Sequence, residues 1–168
     1  MACWSHVGRP FGGTAILIRK KLSHCCYRVI TDNPRVTCIR LEKNGSPDII
    51  ISCVYMPWND RSLEQLFDYE ATIGCLQGII DRHIRCLFLF GGDINVSKFP
   101  MNGCNRLIHQ FSQSNKLNWL DSRTDVIDYT YHNDANDHFS LIDYYSTSPA
   151  IVDKCDDVYI SLPSLRGR

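Results

Sequence analysis

The chain predicts an α/β fold of two packed mixed β-sheets flanked by helices, a four-layer sandwich. Three observations predict it. Apolar runs of strand length, bounded by turn residues, recur in both halves of the sequence. Helical spacing of apolar residues occurs in only two stretches. The hydrophobic content, 44% of 168 residues, suits a globular core rather than a disordered chain. Many strands with two helices favour packed sheets over a doubly wound parallel sheet, in which strand and helix alternate throughout.

Each element follows from local chemistry. Gly12-Gly-Thr-Ala-Ile-Leu-Ile18 reads as a glycine turn feeding a strand, ended at the surface by Arg19-Lys20-Lys21. Residues 27–30 and 35–41 read as two strands joined around Asp32-Asn33-Pro34. Lys43-Asn44-Gly45-Ser46 is a turn, with Asn-Gly where a hairpin favours it. A long apolar strand over 48–55 is stopped by Pro57. From Arg61 to Ile80 the period becomes helical, with Asn59 or Asp60 as the expected N-cap. Cys86–Phe90 is a buried strand, 105–115 a second helix, and Leu117-Asn-Trp-Leu120 a short strand or turn. Strands over 129–131, 140–146 and 150–159 complete the second half.

Size and charge narrow the class. A chain of 168 residues suits one domain, here residues 1–168. No apolar run approaches the ~20 residues of a membrane span. The first ten residues have neither the basic start nor the apolar core of a secretory signal. Nine cysteines, an odd count without a C-x-x-C pair, point to a reducing, intracellular compartment and no structural zinc. The net charge of zero hides an asymmetry: fourteen Lys or Arg against nine Asp or Glu up to residue 120, then four against nine. A uniformly basic nucleic-acid binder is not patterned this way. A phosphodiesterase, with carboxylates gathered at one end, is compatible with it.

Two short stretches carry the chemistry. In Cys86-Leu-Phe-Leu-Phe-Gly-Gly-Asp-Ile-Asn95 a strand runs into a glycine pair and presents Asp93 and Asn95 within reach of one phosphate or metal. The glycines allow close backbone approach or a positive φ. The acid can hold a water or protonate a leaving group, and the amide can bond a phosphoryl oxygen without added repulsion. A polar turn after a core strand is the bland alternative. The second stretch, Phe139-Ser-Leu-Ile-Asp-Tyr-Tyr145, is another strand-like run, with Ser140 and Asp143 facing opposite ways by the alternation of strand side chains.

With Ile49-Ile-Ile-Ser-Cys-Val-Tyr-Met-Pro57 upstream and Tyr129-Thr-Tyr131 downstream, these stretches resemble the endonuclease/exonuclease/phosphatase superfamily. Gly8-Arg-Pro-Phe-Gly-Gly13 narrows the resemblance to the apurinic-like endonucleases of LINE-type retrotransposons. The inositol polyphosphate phosphatases of that superfamily usually carry Trp-Cys-Asp-Arg in place of Ser-x-Ile-Asp. The resemblance implies a deoxyribonuclease-like sandwich and a magnesium-dependent hydrolase that nicks DNA. It also implies a reverse transcriptase domain elsewhere in a full-length element, and a nuclear location if genomic DNA is the substrate. Carried onto matching positions, Asp93 activates water or serves as the acid, and Asn95 and Tyr55 contact the phosphate. Thr130 and Ser140 support the site, and Asp143 orients a histidine.

The resemblance also exposes gaps. The family's principal magnesium ligand is a glutamate ahead of the Gly-Gly strand, whereas the first glutamate here is Glu42. The family's terminal Ser-Asp-His is missing, and no histidine follows His138. Asn136-Asp137-His138 imitates that motif but precedes the Ser-x-Ile-Asp stretch and reads as a loop. The expected domain is therefore incomplete at both ends. Losing a main carboxylate weakens a sparse magnesium site, and losing a transition-state donor commonly costs ~10²–10³ in rate. Two functions are expected to compete: a nuclease whose missing groups are supplied from elsewhere, and a non-catalytic remnant that at most binds nucleic acid. The second is the expectation for these residues in isolation.

Overall fold

A computed structural model of the chain describes residues 13–58, 62–96, 103–120 and 129–155. A six-stranded mixed sheet dominates. Its spatial order is β1 (Cys26–Val29), β2 (Val36–Leu41), β3 (Ile49–Tyr55), β4 (Leu87–Asp93), β8 (Asp143–Thr147) and β5 (Asn118–Trp119). A two-stranded antiparallel hairpin, β6 (Tyr131–Asn133) with β7 (His138–Ser140), forms the second sheet. Helices α1 (Leu63–Arg82), α2 (Gly103–Ser114) and the short α3 (Pro149–Val152) flank them, so the α/β class with two sheets is the observed one.

The sequence explains the arrangement. The β1–β2 and β2–β3 pairs are antiparallel and joined by short turns, the second containing Gly45 at φ 71°. β3 and β4 are parallel, which requires a long crossover, and α1 supplies it. Along β3 every second residue is buried: Ile50, Ser52 and Val54 face the core. Phe88 and Phe90 of β4 do the same, with their ring centroids 5.9 Å apart. Tyr69, Leu76 and Ile79 of α1 and Ile108 and Phe111 of α2 close over them. Burying each such side chain contributes about 1.5–3 kcal/mol, so this layer anchors the C-terminal ends of β3 and β4 where the candidate site lies.

Several expected elements are corrected. Residues 13–18 pair with no strand among the described residues and Leu17 is exposed; an apolar run becomes a strand only where a neighbouring backbone takes its polar groups. The contact made there is between the hydroxyls of Thr14 and Thr37, 2.6 Å apart. A 3-10 helix over Lys20–Cys25 follows. Ser62, not Asn59 or Asp60, caps α1: its hydroxyl accepts the Gln65 N–H at 3.2 Å, while residues 59–61 lie outside the described residues. The glycine pair is not a turn after the strand but lies inside β4, which runs on to Asp93. Among described residues the expected strand over 150–159 begins instead as α3, because Pro149 suits the first helical position.

The most consequential correction concerns residues 140–146. They are not one strand. β7 ends at Ser140 and β8 starts at Asp143, in a different sheet. The Thr130 hydroxyl oxygen accepts both the Ile142 and Asp143 N–H groups, at 3.0 and 3.1 Å, which satisfies the backbone where the chain changes sheets. The alternation argument that set Ser140 against Asp143 therefore does not apply across this break.

Candidate active site

Tyr55, Asp93 and Asp143 end up side by side. Tyr55 is the register partner of Asp93 in the parallel β3–β4 pair, and Asp93 is the register partner of Asp143 in the antiparallel β4–β8 pair. Cross-strand partners share a face of the sheet. Three residues separated by 38 and 50 positions in sequence thus form one row across three strands, at the mouth where β3 and β4 end.

Two glycines let the strands close up behind this row. Gly91 lies under the ring of Tyr145, and a Cβ there would collide with the ring. Gly92 has φ 140° and its Cβ would collide with the Val54 carbonyl oxygen. The sequence predicted close approach at this pair, but at Gly91 the approaching group is Tyr145 of the same protein.

Electrostatics distinguish the two acids. The Asp93 carboxyl is pushed up from 3.8 to about 6, first by burial and then by the nearby Asp143 charge. The Asn95 backbone N–H, donating to Asp93 Oδ1 at 3.1 Å, opposes that shift. Asp93 is half-buried and Asp143 exposed. Asp93 can therefore exchange a proton near neutral pH, the condition for acid–base work.

Asn95 is buried and takes the left-handed backbone conformation, φ 53°, that asparagine tolerates better than most residues. One N–H of its amide donates to the Met56 carbonyl at 2.8 Å, bracing the loops after β3 and β4 against each other. The amide also bonds the Asp93 carboxylate, which tempers the rise of that acid. The buried Tyr69 hydroxyl of α1 steadies the same loop by donating to the Ile94 carbonyl at 3.1 Å. Burial, with the Cys104 and Asp93 charges behind it, raises that phenol so far that it stays protonated.

Thr130 joins the row indirectly, through the two N–H groups that set the start of β8, and its own N–H donates to the Ser140 carbonyl at 3.0 Å. Ser140 therefore braces Thr130 through its backbone. Asp143 has no histidine within ion-pair distance among the described residues. The Asn136-Asp137-His138 stretch spans the hairpin turn and the first residue of β7, and Asp137 accepts from or faces His132 at 3.0 Å. Among the described residues no group of three or more His, Cys, Asp or Glu is placed to hold a metal. No helix is long and apolar enough to cross a membrane among them.

Reading the sequence missed Tyr69, Tyr145 and Arg35 as neighbours of the site. Tyr145 carried a usable signal, because it lies two residues after Asp143 and a strand returns to the same face at that spacing. Arg35 and Tyr69 carried none, since only the sheet and helix packing bring them near.

No family model matches the sequence, and no curated protein matches it. Among solved structures the chain is similar to the catalytic domain of APE2 from Xenopus laevis, with TM-score 0.49 and 17% identity over 70% of this chain and 46% of that one. It is similar to an endonuclease/exonuclease/phosphatase family protein from Bacteroides thetaiotaomicron, with TM-score 0.48 and 16% identity over 68% of this chain and 40% of that one. It is also similar to a beta toxin from Staphylococcus aureus, with TM-score 0.46 and 16% identity over 68% of this chain and 42% of that one. The chain spans less than half the length of each of these solved chains.

Proposed function

We propose that this chain carries the central part of a phosphodiesterase site acting on DNA, of the kind used by LINE-type retrotransposon endonucleases. The observation that carries the reading is the row Tyr55, Asp93, Asp143, with the Asp93 carboxyl raised to about 6. In this reading Asp93, in its ionised form, holds and deprotonates the attacking water; in its protonated form it can give a proton to the leaving oxygen. Tyr55 donates its hydroxyl to a phosphoryl oxygen, and Asn95, held between Met56 and Asp93, contacts the same phosphate. Thr130 and Ser140 act by holding Asp143 in register with Asp93.

Magnesium fits the donor set in a limited sense. It takes oxygen ligands, keeps several waters and is commonly bound by one or two carboxylates together with substrate phosphate. Asp93 and Asp143 would hold it, and their mutual repulsion is the kind that a divalent cation relieves. When bound it supplies charge neutralisation at the phosphate. A further carboxylate and a histidine for Asp143 would complete the site, and a reverse transcriptase domain is the partner expected of a full-length element.

Nicking of supercoiled plasmid tests the reading. The wild-type chain is incubated with and without magnesium and compared with Asp93→Ala. Magnesium-dependent nicking lost in the variant supports a nuclease. No nicking by folded wild-type protein that still binds DNA leaves a non-catalytic nucleic-acid-binding remnant. Nicking that survives Asp93→Ala overturns the assignment of the site.

A further inference from the structure

We propose that the end of the sheet opposite Tyr55, Asp93 and Asp143 carries a binding site for the phosphate groups of a small ligand, built on Arg82, Arg85, His83 and Arg40. The site owes nothing to the phosphodiesterase reading, because none of its residues belongs to that row.

Backbone pairing creates the pocket. β3 and β4 are parallel, so Ile49 and Leu87 begin at one end while Tyr55 and Asp93 finish at the other. Each residue advances a strand by about 3.3 Å, so about 20 Å separates the two ends. At the starting end the Leu87 N–H donates to the Asp48 carbonyl at 2.8 Å, which holds the turn after α1 against the turn after β2. α1 stops there, with His83 as its C-cap, and the Cys86 N–H donates back to the His83 carbonyl at 2.8 Å. Arg40, Asp48, Arg82, His83, Ile84 and Arg85 line the resulting pocket of about 480 Å³. Pockets of that size hold small organic ligands.

Charge decides what it can hold. Arg40, Arg82 and Arg85 face Asp48 as the acid of the lining. That carboxylate is already occupied: Oδ2 accepts the Arg40 Nε–H at 2.8 Å and Oδ1 accepts the Lys43 backbone N–H at 3.2 Å. Among the described residues the ion pairs are those of Arg40 with Glu42 and Asp48, and of His132 with Asp134 and Asp137. Arg82 and Arg85 are exposed and enter none of them. His83 feels the excess. Burial first, then the Arg40 and Arg82 charges, hold its imidazole below its ordinary value. It is therefore mostly neutral at pH 7 and can donate a ring N–H to an anion.

A solvated basic face explains less. A cation at the C-terminal end of a helix offsets the helix dipole, and Arg82 meets that need in the last turn of α1. Arg85 lies beyond the helix and Arg40 on a strand, so neither sits in that turn. Crowded like charges cost stability unless an anion relieves them. Guanidiniums grip phosphate with two parallel N–H bonds, and here they come from separate elements around one pocket. Ile84, 80% exposed in the same lining, offers an apolar side to the rest of an organic ligand.

The test titrates the isotope-labelled chain with pyrophosphate in EDTA at pH 7 and follows the amide chemical shifts, which report where an anion binds as well as how tightly. The His83, Ile84 and Arg85 amides should shift to saturation while those of Asp93 and Asp143 stay in place, since two carboxylates repel the anion. Arg82→Ala and Arg85→Ala should each weaken binding about tenfold or more. Arg85→Lys should lose less than Arg85→Ala, because it keeps the charge without the two-bond grip. Arg106→Ala, an exposed arginine of α2, is the control and should bind as wild type does. Unchanged shifts at the buried Ile50 and Phe88 verify that each variant is folded. Absence of saturation at residues 83–85, or equal weakening in Arg106→Ala, overturns the proposal. So does a 20-base-pair duplex that moves the same amides at a lower phosphate concentration than pyrophosphate requires, which would make this face a nucleic-acid surface.

Discussion

Replacing Asp93 with asparagine should make the protein more stable at neutral pH while destroying the chemistry proposed for the site. The carboxyl stands at about 6 in the folded chain against 3.8 ordinarily, a rise of about 2 pH units. Each unit corresponds to about 1.4 kcal/mol, so the undiscounted effect is about 3 kcal/mol. Asp93 is only half-buried and its partner Asp143 is exposed, so solvent screening reduces this to about 1–2 kcal/mol. The sign follows from which state binds the proton more tightly. Between pH 4 and 6 the folded chain holds a proton that the unfolded chain has released, so stability falls as pH rises through that window. It is fully present below the ordinary value and lost above the folded one. Asparagine keeps an oxygen to accept the Asn95 N–H but has no charge to bury. Urea denaturation at pH 4.5 and 7.5 should show wild-type stability declining between the two, beyond whatever the rest of the chain contributes. Asp93→Asn should lack that part of the decline and exceed wild type by about 1–2 kcal/mol at pH 7.5. Parallel pH dependences for the two proteins, or an asparagine variant less stable at pH 7.5, would refute the claim that burial and Asp143 disfavour the ionised acid.

Three further outcomes follow from the geometry. Gly92→Ala forces a side chain into an unfavourable φ and against the Val54 carbonyl oxygen, and should cost more than about 3 kcal/mol in chemical denaturation. Thr130→Val is nearly isosteric but removes the acceptor of two backbone N–H groups, so a loss of about 2 kcal/mol is expected. Amide hydrogen exchange should then rise selectively at Ile142 and Asp143. Ser62→Ala removes the side-chain cap of α1 and should lower the denaturation midpoint by an amount equivalent to about 1 kcal/mol.

Much of the fold was legible in local pattern. The change of period after Pro57 located α1, whose Tyr69, Leu76 and Ile79 lie buried on one side, and the long apolar run over 48–55 located β3. Both are decided within a few residues, where spacing alone reports which side chains share a face. Elements that depend on a distant partner were read less well. Residues 13–18 have strand composition but no ladder among the described residues, and the break between β7 and β8 depends on Thr130, more than ten residues upstream.

The candidate site divides in the same way. Local pattern pointed to Asp93 and Asn95, polar residues visible at the end of an apolar run, whereas Tyr55, Thr130, Ser140 and Asp143 were named through the family resemblance. The sequence could not state that Tyr55 and Asp143 flank Asp93, since that is a matter of register between strands far apart in the chain. Nor could it give Asp93 its altered acidity, which arises from burial by the folded layers and from a charge fifty residues away. Identity and local spacing belong to the sequence; proximity, and the electrostatics that depend on it, exist only once the strands pair.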